Sequence, residues 1–183
     1  MTDEIITISG EDQILLYRAR ALAEEPRRGF AAKPSLVAVE FLLANEKYAV
    51  EAIYVREVLP LREVTPLPST PLFLLGLTNV RGQILSVIDL RVLFDLPREA
   101  ATATAKVIVL HAADMDVGVL AEAVVGARPI PLEEIKPALP TMTGIRERCL
   151  RGIVGEELVL LAANILLADD AIVVNQQAEG AEI

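Results

Sequence analysis

Short apolar runs recur along this chain at roughly ten-residue spacing from residue 36 to residue 161, and each is closed by Gly, Pro or a polar cluster. Runs of this length suit strands rather than packed helices, and many of them separated by turns point to an all-β barrel architecture. Residues 36–43 and 48–50 flank Ala44-Asn45-Glu46-Lys47 and read as a hairpin. Residues 53–59 alternate, which predicts Val55 and Val58 inward, with Arg56 and Glu57 at least partly outward. Pro60, Pro66, Pro68 and Pro71 follow, and a central strand cannot hold them. A second hairpin joins 73–80 to 84–90 across Arg81-Gly82-Gln83, and 90–96 predicts a brief helix ended by Pro97. Strands are expected at 106–110, 117–121 and 123–127, with Pro129 and Pro131 closing the series. The segment 137–144 reads as a long excursion. A last hairpin joins 150–154 to 158–161 across Gly155-Glu156-Glu157, and 164–167 makes a helical turn. No fixed-period repeat is visible.

The two ends differ from this body. Ser9 reads as a helix cap with Asp12 in the first turn, and Leu15, Ala19 and Leu22 share one face of a stretch that Pro26 ends. Residues 1–35 are therefore expected to be an extension with one short amphipathic helix, which packs on its own domain or docks on a partner. The tail 169–183 is acidic and expected to fray. The middle, 36–168, holds the β-rich unit. With 53% hydrophobic residues in 183, the chain can bury a core as one domain or as two small ones sharing a core.

Composition excludes several chemistries. Seventeen Lys and Arg against 26 Asp and Glu give a net charge of −9, which argues against nucleic acid and anionic membrane surfaces. One Cys, one His and no Trp leave no basis for a disulfide framework or a zinc, haem or iron–sulfur site, so no cofactor is expected. The most apolar stretch, 158–168, is too short to span a bilayer and contains Asn164. Without the pattern of a secretory leader, the cytoplasm is the expected compartment. Serines stand at 9, 35, 69 and 86, none in a Gly-x-Ser-x-Gly elbow, and no phosphate-binding glycine loop is present. The carboxylate pairs Asp114/Asp116, Glu133/Glu134 and Asp169/Asp170 read as solvated. A small enzyme pairing Cys149 with His111 is the alternative of another class; a buried thiol and a strand-end imidazole is the commoner meaning of such residues. A structural homodimer is a third option.

Two groups stand apart. Asn79-Val80-Arg81-Gly82 sets a charged turn between two apolar strands, and Asp89 sits inside an apolar run with Arg91 just after it. Turn capping with one local ion pair explains them structurally. A charged knob at a partner interface explains them functionally, and the residues alone favour neither.

The stretch from Phe73 to Arg91, with Asn79-Val80-Arg81-Gly82 and Val87-Ile88-Asp89-Leu90-Arg91, resembles the signature of CheW-like chemotaxis coupling proteins. Tyr48-Ala49-Val50, Val55-Arg56-Glu57-Val58, Thr65-Pro66-Leu67-Pro68 and Thr70-Pro71-Leu72-Phe73 fit the same pattern, and the second half fits more loosely to residue 168. Two departures stand out: Ser86 where the family usually has Pro, and Glu122-Ala123 where it often has Asp-Gly. The resemblance implies two packed SH3-like five-stranded barrels and a scaffold without catalytic activity. It implies binding to the cytoplasmic tip of chemoreceptors and to the regulatory domain of a CheA-type histidine kinase, with recruitment to membrane receptor arrays through those partners and no insertion of its own. A related chemosensory pathway controlling pili or surface motility would use the same adaptor. Val55, Gly76 and Arg81 match positions linked to receptor binding or signalling, Glu57 matches a kinase-contact position, and Asn79 and Gly82 join this partner-binding set. Asp89 and Arg91 are assigned structural roles.

Overall fold

The computed structural model describes residues 33–98, 104–112, 115–137, 144–170 and Ile172. The amphipathic helix expected before residue 33 and nearly all of the acidic tail lie outside the described residues, as does most of the 137–144 excursion.

The chain opens with the hairpin β1 (Ser35–Leu43) and β2 (Glu46–Glu51), which turns on Ala44-Asn45, both at positive φ. A single 3-10 turn, Ala52–Tyr54, leads to β3 (Val55–Pro60). The hairpin β4 (Leu74–Val80) and β5 (Gln83–Ile88) follows the proline-rich segment, and α1 (Leu90–Leu93) follows the hairpin. Next come β6 (Lys106–Ala112), β7 (Met115–Ala121) and β8 (Ala123–Pro131). A second 3-10 turn, Leu132–Glu134, then precedes β9 (Ile135–Lys136). The chain ends with α2 (Gly144–Arg148), the hairpin β10 (Leu150–Val154) and β11 (Leu158–Leu161), and α3 (Ala163–Ala168).

These strands form two SH3-like barrels, one from the sheet β3-β6-β7-β5-β4 and one from β8-β1-β2-β11-β10-β9. Their wiring is the same. In each, an outer strand pairs antiparallel with a hairpin (β3 with β6-β7, β8 with β1-β2). The hairpin then pairs parallel with the next strand, and that strand antiparallel with its own partner (β7-β5-β4, β2-β11-β10). The two 3-10 turns share their entry geometry, with φ/ψ of −59°/132° at Glu51 and −59°/133° at Pro131, although the first precedes the outer strand β3 and the second follows the outer strand β8. Hence the fold contains an internal duplication that the sequence does not display. The first hairpin, β1-β2, belongs to the barrel completed by the C-terminal half.

Packing explains why the strands read as continuous apolar runs. On β6, Val107 and Val109 point into the β3–β7 barrel while Ile108 and Leu110 join the large core between the barrels. On β11, Leu158 and Leu160 fill the other barrel while Val159 and Leu161 face the shared core. Strands covered on both faces lose the polar alternation of half-exposed ones. Each fully buried aliphatic side chain of this kind contributes about 1.5–3 kcal/mol. Phe41, Tyr48 and Phe94 stack in the shared core with centroids 6.1 and 5.9 Å apart, and Arg146 of α2 covers the Tyr48 ring at 5.6 Å.

Two expectations are corrected. Strand β8 does not end before its prolines but carries Pro129 and Pro131 within it, because it is an outer strand whose far side needs no donors. The turn at residue 44 is two residues long rather than four, since Glu46 and Lys47 already pair with Leu43 and Leu42. By contrast, Val55 and Val58 face inward as expected; a bulge at Arg56 lets two residues three apart share a face.

One ion cluster joins the barrels. Asp89 caps α1 by accepting the Arg91 backbone N–H at 3.0 Å, and the Arg91 guanidinium donates from Nε and Nη2 to its two carboxylate oxygens, both at 2.9 Å. Arg91 Nη1 donates to Glu122 Oε1 at 2.9 Å, and that oxygen also accepts the backbone N–H of Ala44 in the β1-β2 turn at 3.0 Å. Asp89 and Arg91 are buried, and the Asp89 hydrogen bonds hold the Arg91 pKa above its ordinary value. Arg91→Met is expected to cost about 3–5 kcal/mol in urea denaturation, because it strands two carboxylates. Asp89→Asn in the same chain is expected to recover part of that loss; no recovery would place the cost in packing instead.

Candidate interaction surface

The β4-β5 hairpin turns on Arg81-Gly82, at φ 52° and 87°, the positive pair that a two-residue primed turn demands. Asn79 Oδ1 accepts the Gly82 backbone N–H at 2.8 Å and caps the turn. A turn of this kind favours Asn or Gly at its first central position, and an L-residue held there costs about 1–2 kcal/mol. Arg81 occupies it nonetheless, with its side chain 81% exposed. The guanidinium faces Glu57 of β3, whose Oε2 lies 3.1 Å from Arg81 Nη2. That oxygen is buried and receives no aligned hydrogen bond, so the pair is a loose ion contact over one buried oxygen of a part-exposed carboxylate.

The partner-binding set thus divides. Asn79, Arg81, Gly82 and Glu57 come together at the hairpin tip. Val55 does not present its side chain at all: it is 1% exposed and packs in the shared core. Gly76 is also buried, at φ 141°, and a Cβ there would lie 2.1 Å from the Thr65 carbonyl oxygen. Thr65 exchanges backbone hydrogen bonds with Leu77 at 2.8 and 2.9 Å, so Gly76 is what allows the proline-rich segment to lie against β4. Asp89 and Arg91 form the cluster between the barrels. Of the two departures from the family pattern, Ser86 sits within β5 in register with Leu77 and Val117. Glu122 supplies the second carboxylate for Arg91.

A groove of about 230 Å³ opens beside the hairpin tip. Leu59, Val80 and Val107 give it an apolar lining, and Arg62 and Arg81 lie at it with Asn79. Arg62 lies in the segment after β3, exposed, and forms no ion pair among the described residues. Nothing in the sequence singled it out, since its closeness to Arg81 arises only when β3 and β4 lie together. Ile84, opposite Asn79 across the ladder, is 67% exposed.

The two residues of the enzymatic alternative lie on different elements. His111 is exposed on β6 and its Nδ1 sits 2.8 Å from Asp116 Oδ1, whose carboxylate also binds Arg56. Cys149 lies between α2 and β10, fully buried, and burial pushes its thiol up to about 11, with Asp169 adding to the shift. A thiol in that state is not a nucleophile near neutral pH. No described helix is long and apolar enough to cross a membrane.

A family model described as "CheW-like domain" matches residues 38–169. The chain is 31% identical to the chemotaxis protein CheW of Klebsiella aerogenes over 123 residues, 66% of this chain and 74% of that protein. It is 32% identical to Protein FrzA of Myxococcus xanthus over 114 residues, 61% of this chain and 71% of that one. Among solved structures it is similar to the scaffolding protein TtCheW from Thermoanaerobacter tengcongensis. There the TM-score is 0.68 at 26% identity, covering 79% of this chain and 96% of that one.

Two outcomes are expected. Gly76→Ala combines positive φ with a backbone collision and is expected to cost about 3 kcal/mol, lowering Tm by roughly 6–12 °C. Gly82→Ala, with open space around it, is expected to cost only about 1 kcal/mol, and equal losses in thermal melts would refute the packing account of Gly76. Cys149 gives a pH signature. The folded state holds the thiol proton up to about pH 11 while the unfolded chain releases it near 9, so stability falls as pH rises above about 9. The slope approaches ~1.4 kcal/mol per pH unit. Tyr48, whose hydroxyl burial also holds protonated, adds its own fall at higher pH. Denaturation midpoints at pH 8, 9 and 10 are expected to lose most of the slope between 9 and 10 in Cys149→Ala.

Proposed function

Because the chain belongs to the CheW-like domain family, we propose that it is a non-catalytic adaptor coupling chemoreceptors to a CheA-type histidine kinase. An adaptor of this kind works through complementary surface alone, with binding energy concentrated in a few well-placed residues. The observation that carries the reading is Arg81. Its backbone conformation is unfavourable for arginine, its guanidinium is exposed, and it stands over the buried Oε2 of Glu57. Local stability does not explain that choice of residue, whereas recognition does.

In this reading Arg81 contacts the cytoplasmic tip of a chemoreceptor and Glu57 the regulatory domain of the kinase. Asn79 and Gly82 hold the turn that presents Arg81. Val55 and Gly76 act from beneath, by fixing β3 and the proline-rich segment. The protein works in the cytoplasm and reaches the membrane arrays through its partners, with no cofactor and no nucleic acid.

Calorimetric titration of the purified chain with the kinase regulatory domain and with a receptor-tip fragment tests this. Saturable binding to both is expected. Arg81→Glu is expected to weaken the receptor interaction roughly tenfold to a hundredfold. Its Tm is expected to stay within about 4 °C, since the ion pair it removes is surface-exposed on one side. Unchanged receptor affinity with a large fall in Tm would return Arg81 to a purely structural role.

A further inference from the structure

Arg62 differs from every other arginine among the described residues. Each of the others has a carboxylate as ion-pair partner. Arg62 pairs with none among the described residues, although the chain carries a net charge of −9 and Glu63 is its neighbour in sequence. It stands exposed at the groove between the end of β3 and the tip of β4. Arg81, at the same groove, already faces Glu57. Arg62 is therefore the arginine left there to meet an incoming anion.

The main chain of β4 is open toward the same groove. Leu77 and Thr65 exchange backbone hydrogen bonds at 2.9 and 2.8 Å, on the side of β4 away from β5. Backbone groups alternate sides along an antiparallel strand, so Asn79 directs its N–H and C=O to that side too. A continued ladder would set Glu63 opposite Asn79. Glu63 instead turns its carbonyl to the Thr78 hydroxyl, which donates to it at 3.0 Å. Asn79 is exposed, and its backbone N–H and C=O have no partner among the described residues. On the other wall β3 ends in Pro60, which has no N–H to offer.

We propose that the groove receives an extended, acidic segment of a protein partner. Its main chain adds one rung to the open edge of β4 at Asn79, and one of its carboxylates pairs with Arg62. The mixed lining suits such an occupant: the polar wall takes the backbone, while Leu59, Val80 and Val107 take the aliphatic part of a side chain. At about 230 Å³ the groove holds one or two residues of the segment. The proposal rests on the groove and not on the adaptor role.

The test uses the full chain, isotopically enriched, titrated with the capped pentapeptide Asp-Val-Asp-Val-Asp and followed through its amide resonances. Saturable shifts at Asn79, Val80 and Val107 are expected, with the Asn79 amide exchanging more slowly with solvent once the peptide is bound. The counterpart Lys-Val-Lys-Val-Lys is expected to shift none of them. Arg62→Gln is expected to weaken the acidic peptide by about fivefold or more while Tm stays within about 2 °C, since Arg62 is exposed. Absence of saturable shifts at these amides up to about 10 mM peptide would overturn the proposal. Equal binding of the lysine peptide, or unchanged affinity in Arg62→Gln, would do so too. Binding that leaves the Asn79 exchange rate unaltered would overturn the strand pairing.

Discussion

The geometry of this molecule depends on a single buried guanidinium. Arg91 is held on two sides by Asp89 and on a third by Glu122, and Glu122 in turn holds the turn of the first hairpin through Ala44. A charge taken out of water costs several kcal/mol unless hydrogen bonds replace its hydration, and here they do. The apolar core between the barrels supplies attraction but little directional information. The cluster supplies direction, because a bidentate carboxylate–guanidinium pair tolerates little rotation. It meets the end of the β4-β5 hairpin, the link from β7 to β8 and the β1-β2 turn, and so relates one barrel to the other.

The hairpin tip shows the opposite economy. Ala44 and Arg81 both adopt a conformation that L-residues resist, but for different reasons. Ala44 is held from outside by Glu122 and shows no exposed functional group. Arg81 is held by the Asn79 cap and the Gly82 that follows, and its charged end is left in solvent. A rigid base with an exposed cationic end suits recognition, since little freedom is lost at the backbone when a partner arrives.

Much of this was legible in the sequence because strand length, turn residues and prolines act locally. The hairpin 150–154/158–161 lies where its Gly155 turn placed it, and α1 begins at the Asp89 cap. What was hidden is what depends on distant residues. The role of Glu122 requires Ala44, nearly eighty positions away. The constraint on Gly76 comes from Thr65, eleven positions earlier, and the closeness of Arg62 to Arg81 from the meeting of β3 and β4. The duplication is hidden in the sequence because equivalent positions have diverged: the turn is Arg81-Gly82 in one barrel and Gly155-Glu156-Glu157 in the other. Where one barrel continues with Asp89-Leu90-Arg91, the other has Ala162-Ala163-Asn164. Backbone wiring survives such changes because it is set by strand pairing, which many side chains satisfy.

The exchange of the first hairpin into the barrel built by the C-terminal half bears on synthesis. During translation β1 and β2 leave the ribosome first, yet their parallel neighbour β11 is more than a hundred residues behind. At ~5–20 residues per second the hairpin waits for about 5–20 seconds. The strands β3 to β7 form a contiguous set and can close in that interval. The nascent chain therefore carries one finished barrel and a hairpin whose Ala38 and Ala49 face still lacks the side chains of the C-terminal half. Its growing C-terminal half is then templated by an edge already made. Assembly order is written into the connectivity, and the last element to dock is the hairpin β10-β11 with the helix behind it.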